Sequence, residues 1–365
     1  MDRALVACSV IGATAFCVVL GSRYAPINIL CCFLTAFICW RMNVFRSTRS
    51  QIAPLPHEEA VCPKGAPRDF QCSCFGWLTT QAFRRTVPQI RYDMPLVICL
   101  SACTDSQEAV DLTTEGIAGG AFVSSMMNVL DARKALTSRA SSPQITWRDF
   151  LRAVKRGLLG QRLRQIPRIS SNQRLCPNDP FHLSRANTRR LRSLLVGINY
   201  VGQERALKGC WNDVARAQRF VREWSSMHPD CVEDTRVLCG DGLHVAPTAR
   251  NIRAGLKWLV SGAQDGDSMF FAFFGHGVQV KDNDGDELDH FDEAIVPLDW
   301  ERSGVIRDDE LRDILVENLA AGVQLFCLVD CCHSGTILDL PFCMEVLDGG
   351  RLLETQNRVR GDPFQ

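Results

Sequence analysis

The chain has 365 residues, with 41 basic and 41 acidic side chains, 46% apolar residues and 18 cysteines. Zero formal net charge argues against a protein built mainly to hold nucleic acid, and the ordinary apolar content excludes a wholly disordered chain. The length allows one large or two ordinary domains and is too great for a small scaffold stapled by its cysteines.

Ala4 to Leu20 is an uncharged, largely apolar run; Gly21, Ser22 and Arg23 interrupt it, and a second run goes from Ile27 to Trp40. Each is at or below the ~20 residues a helix needs to span a bilayer. Three readings stay open: a secretory signal ending near Gly21 and Ser22, a membrane hairpin with Arg41, Arg46 and Arg49 on the cytoplasmic side, or a short core helix. Residues 1–40 are therefore expected to be a signal or membrane segment, with membrane contact through residues 4–40; the alternative, if this segment is not a signal, is a cytoplasmic chain. Residues 41–90, rich in Pro, Arg and Cys, read as a linker or extension. Their Cys62, Cys72, Cys74 and His57 match no zinc spacing.

Short apolar runs then alternate with helical patterns. Residues 95–100 read as a buried strand, Gly119 to Leu136 as a helix, and Thr146 as the cap of a helix through Leu159. Ile166 to Ile169 is a short strand, and Pro177, Asn178, Asp179 and Pro180 mark a linker. Four more strands follow, at 194–198, 235–239, 268–274 and 323–329. Helices at 213–224, 248–261 and 309–319 separate them. Strands buried on both faces and alternating with helices imply a mostly parallel α/β sheet, which binds ligands beyond the carboxyl ends of its strands.

Two strands end in chemistry. One runs into Gly275-His276-Gly277 and the other into Asp330-Cys331-Cys332-His333-Ser334-Gly335. An imidazole can take a thiol proton and the thiolate can attack a carbonyl, while neighbouring glycines let N–H groups approach an oxyanion. His276 and Cys332 are the candidate pair. Cys331 and Cys327 read as packing residues.

Phe273-Phe-Gly-His-Gly277 with Asp330-Cys-Cys-His-Ser-Gly335 resembles the caspase-like clan, in its metacaspase form. Gly209-Cys-Trp-Asn-Asp213, Phe291-Asp-Glu293, Arg307-Asp-Asp-Glu310 and Asp339-Leu-Pro-Phe342 resemble further metacaspase large-subunit signatures. Ile98 to Gln107, Gly119 to Phe122 and Gln165 to Ser171 resemble a small subunit that here precedes the large one, as in type III metacaspases. The resemblance implies a caspase-like three-layer sandwich around a six-stranded sheet, circularly permuted. It would comprise a small-subunit-like segment 91–171, a linker 172–192, a large-subunit-like segment 193–342 and a tail 343–365. No cut between subunits would then be needed for activity.

The resemblance also implies cleavage of peptide bonds after Arg or Lys, in a pocket of Cys210, Asp213 and Asp330. Gly277 and Cys332 would supply the oxyanion hole. The family often has a small hydroxyl residue where Phe274 stands. Asp282 to Glu293 superficially fits a twelve-residue calcium loop, but Glu287 occupies the position where the turn needs Gly. The resemblance offers another Ca²⁺ site, with ligands Asp292, Asp308, Asp309 and Asp339; a solvated acidic face is the bland alternative. The expected protein is a monomeric calcium-dependent cysteine endopeptidase with protein or peptide substrates. Its rival is a membrane-tethered, calcium-responsive scaffold with a silent protease site.

Overall fold

The computed structural model describes residues 5–10, 13–18, 90–91, 93–104, 107, 109, 111–114, 117–137, 145–182, 184, 188–228, 230–282 and 290–357. The expected linker at 41–89, with its Cys and His residues, lies outside them, as does the middle of the acidic loop. The chain divides into two compact units, Met1–Ser73 and Cys74–Gln365.

In the first unit, β1 (Leu5–Val10) pairs antiparallel with β2 (Ala13–Val18). A strand pair thus stands in the run for which a secretory signal, a membrane hairpin and a short core helix were the open readings. The β-branched residues Val6, Val10, Thr14 and Val18 favour that outcome. Among the described residues no helix is long and apolar enough to cross a membrane.

The second unit runs β3 (Leu96–Ser101), β4 (Asp111–Thr114), β5 (Ile117–Gly120), α1 (Ala121–Thr137), α2 (Trp147–Gly160), β6 (Arg168–Ser171), β7 (Arg190–Gly197) and α3 (Cys210–Ser226). It continues with β8 (Val232–Cys239), α4 (Ala249–Val260), β9 (Asp267–Phe274), β10 (Gly277–Lys281), β11 (Phe291–Ile295), α5 (Trp300–Ser303), β12 (Ile306–Arg307) and α6 (Asp308–Leu315). The last strands are β13 (Gln324–Asp330), β14 (Phe342–Val346) and β15 (Leu352–Gln356).

One sheet dominates, in the order β15-β14-β6-β3-β13-β9-β7-β8. Strands β3, β13, β9, β7 and β8 are parallel, while β6 and then β14 and β15 join antiparallel. It has eight strands rather than the six expected. The two extra strands belong to the stretch read as a tail from residue 343. They are short, and β15 is largely exposed, so they lack the continuous apolar run that reveals a buried strand.

The side chains of β3 sort the layers. Leu96, Ile98 and Leu100 join one core cluster with Phe122 of α1, Trp147 of α2 and Val214 of α3. Val97 and Cys99 face the other cluster, with Leu256 of α4 and Leu311 of α6. Alternate residues of a strand point to opposite faces, so this sheet is the middle of three layers. The expected caps hold: Thr146 accepts from the Asp149 amide at 3.1 Å and Thr248 from the Asn251 amide at 3.3 Å.

Candidate active site

Position follows from register. In the parallel pair β13–β9, Asp330 lies opposite Phe274. His276 is two residues beyond one strand and Cys332 two beyond the other, so both emerge at the same carboxyl edge from neighbouring strands. Gly277 tightens the approach. A Cβ on it would run into the Cys332 carbonyl oxygen and lie 2.8 Å from Cys331 Sγ, so only glycine lets the two backbones pack this closely.

Strand β7 supplies a third participant. Beyond its end, the buried Tyr200 accepts a hydrogen bond from the His276 amide at 3.0 Å and donates to the Val296 carbonyl at 2.6 Å. Its ring lies against the imidazole, with centroids 4.6 Å apart. His276 Nε2 is 2.6 Å from the Arg205 carbonyl. A carbonyl can only accept, so Nε2 carries the proton and Nδ1 is the basic nitrogen. Neither Tyr200 nor Arg205 was read from the sequence. The strand-end rule that selected His276 applies equally to Tyr200; the Arg205 carbonyl leaves no side-chain signal.

The adjacent cysteines differ sharply. Cys331 is 1% exposed and packed in the core, and burial pushes its thiol well above the ordinary range. Cys332 is partly exposed, and its sulfur receives the Ala109 amide at 3.3 Å. The segment around Ala109 was not foreseen as a neighbour of Cys332. It is fixed there by a further bond from the His333 amide to the Gln107 carbonyl, 3.3 Å. Cys103, close by, donates from its thiol to the Cys331 carbonyl at 3.4 Å. Its thiol is pushed up to about 12, mainly by burial and then by Cys332.

The predicted pocket carboxylates come together at β5 and the start of α1. Asp213 Oδ2 accepts from the Gly120 amide at 2.7 Å, and Asp330 Oδ2 accepts from the Val123 amide at 3.4 Å. Both oxygens border one point beside Gly120, where a Cβ would strike Asp330 and lie 3.3 Å from Asp213 Oδ2. Cys210, buried, opens α3 three residues before Asp213. Phe274 is buried in the core cluster that also holds Cys210 and Val214.

Three of the four expected metal ligands also meet. Ligand oxygens of Asp292, Asp308 and Asp309 lie within 4.8 Å of one another, whereas Asp339 is not part of that group among the described residues. Asp339 sits at φ 44° and its carbonyl accepts from Arg312 Nη1 at 2.5 Å. Burial, reinforced by Glu293 and Asp292, pushes the Asp308 carboxyl up to about 8, although the Asp309 and Glu293 amides donate to it. Asp292 is raised too, by burial first, although Arg307 pairs with it. Crowded carboxylate oxygens with so little compensating charge suit a hard divalent cation. Hydrogen bonds lead from this cluster towards Cys332: Glu293 donates its amide to Asp308 at 2.5 Å, and its carboxylate accepts from Thr336, four residues after Cys332.

An imidazole and a partly exposed thiol emerge at the ends of neighbouring parallel strands, an arrangement open to cysteine-type peptidase chemistry. The family model described as the metacaspase, peptidase C14 domain matches residues 191–341. The chain is 37% identical over 255 residues to Metacaspase III c of Phaeodactylum tricornutum, covering 67% of this chain and 74% of that relative. It is 45% identical over 174 residues to Metacaspase-1 of Yarrowia lipolytica and 46% over 153 residues to Metacaspase-1 of Mycosarcoma maydis. Those matches cover 47% and 41% of this chain, and the chain spans 37% of each fungal relative's length. The chain belongs to the metacaspase family of cysteine-type endopeptidases.

Proposed function

We propose that this metacaspase is a calcium-activated endopeptidase that cuts after Arg or Lys, with His276 and Cys332 as its dyad. The register of β13 against β9, with Gly277 packed on the Cys332 backbone, is the observation that carries the reading. His276 Nδ1 takes the Cys332 proton; the thiolate attacks the scissile carbonyl. Amides near Gly277 and Cys332 hold the developing oxyanion. The tetrahedral adduct collapses, the leaving amine takes the proton from His276, and water then hydrolyses the acyl-enzyme. Asp213 and Asp330 hold the basic side chain before the cut by charge-assisted hydrogen bonds. Asp292, Asp308 and Asp309, with Asp339 drawn in, would hold Ca²⁺, whose charge would order the loop reached through Glu293 and Thr336.

All these groups come from one chain, so we read the enzyme as a monomer and its segment order as a permutation that removes the need for an activating cut. Residues 4–40 are the proposed membrane contact, which fractionation of the full chain tests. The dyad is tested with arginyl peptides. Cys332→Ala abolishes turnover and Cys331→Ala largely spares it; the reverse result refutes the assignment.

A further inference from the structure

The acidic pocket already contains a guanidinium. Arg216 lies one turn after Asp213 on α3, and its Nη1 donates to Asp213 Oδ1 at 2.8 Å and to Ser124 Oγ of α1 at 3.1 Å. The Asp213 side chain is 2% exposed and that of Arg216 25%, so the carboxylate is sealed while the cation has a way out. The other carboxylate oxygen accepts from Gly120. Gly119 is what admits the arrangement: any Cβ there would collide with Arg216 Nη1 and lie 3.1 Å from Asp213 Oδ1. Asn212 completes the clamp by donating to the Ala118 carbonyl at 2.8 Å.

Charge is the second consideration. Two carboxylates border one point beside Gly120, and bringing like charges together away from water is costly. Arg216 offsets the charge of Asp213, the same role that an incoming ammonium or guanidinium would take. An incoming cation that engages Oδ1 of Asp213 must share it with Arg216 or displace it.

We propose that Arg216 is a resident competitor in the specificity pocket, holding against Asp213 the place that a substrate's basic side chain takes, and so limiting the grip on Arg and Lys peptides. This rests on the reading of Asp213 and Asp330 as that pocket. A staple between α3 and α1 is the alternative role, and it predicts the opposite sign. Losing a staple loosens Asp213 and weakens binding, whereas losing a competitor strengthens it.

The test uses the full chain, with Michaelis curves for matched peptides bearing Arg, Lys or neutral citrulline before the cut. Arg216→Gln lowers KM for the Arg and Lys peptides by about three- to tenfold, as loss of one partly screened ion pair implies. The change in kcat is smaller, and citrulline peptides gain nothing. Arg216→Lys restores the higher KM. Arg216→Met keeps the packing while removing the charge, and it gives the same direction should the Gln variant fold poorly. A KM for basic peptides that rises or stays fixed in both neutral variants overturns the proposal. A parent enzyme that shows no preference for Arg or Lys over citrulline instead overturns the pocket reading itself, so the two failures are told apart.

Discussion

Two carboxylate clusters among the described residues invite comparison: each has one arginine on one member and backbone amides on another, but they differ in how many carboxylates crowd together. Asp213 and Asp330 face amides of Gly120 and Val123 and an arginine one turn along α3. Asp292, Asp308 and Asp309 crowd together with Arg307 on one of them, and the Asp308 carboxyl is pushed up to about 8 by burial and its acidic neighbours. Under the proposed function the first cluster takes an organic cation that can share hydrogen bonds, and the second, with its third carboxylate and raised Asp308, takes a dense positive charge. Carboxylates alone do not separate the two proposed roles; the degree of crowding does.

The largest effect that can break this contrast comes from the first group. Asp330→Asn is expected to lower kcat/KM for arginyl peptides by about a hundredfold, because a desolvated charge pair loses one member. The citrulline peptide should be nearly indifferent, and an equal loss on both would assign Asp330 to folding. Next in size, excess chelator should reduce turnover roughly tenfold, within the usual span of coupling between sites; full activity in chelator would remove the metal from the second group. Thr336→Val should cut the calcium response by about threefold through the lost bond to Glu293. Unchanged calcium titration curves would show that the link is silent.

The smallest effect is on stability without metal. Asp308 has a folded value raised from 3.8 to about 8, so between those values the folded chain holds a proton that the unfolded chain has released. Its contribution is fully present below about pH 4 and is lost as pH rises through about 8. In chelator, Asp308→Asn should flatten that slope and raise the melting midpoint at pH 8 by roughly 2–4 °C. A midpoint that falls instead would mean that the carboxylate is already compensated.

Much of this was legible in the residues. All six strands read from apolar runs are present, because strands buried on both faces carry continuous apolar sequence, as in Ser268 to Phe274. The placement of His276 and Cys332 at neighbouring strand ends was legible because both follow continuous apolar runs that end in glycine-rich turns. The hairpin β14–β15 escaped notice because it lies at the sheet edge, where polarity is tolerated; β5 escaped because glycines at 119 and 120 read as a helix start. Tyr200, the Arg205 carbonyl and Ala109 act through loop geometry, which no local pattern announces. Arg216 carries no local signal, because nothing in the helical pattern of α3 announces that Gly119 passes over it.

Strand β3 lies between β6, a local neighbour, and β13, whose first paired residue, Gln324, faces Leu96. During synthesis one flank of β3 therefore stays unpaired until β13, more than two hundred residues later, has emerged. Such distant pairing slows folding and leaves an edge open to association in the interval.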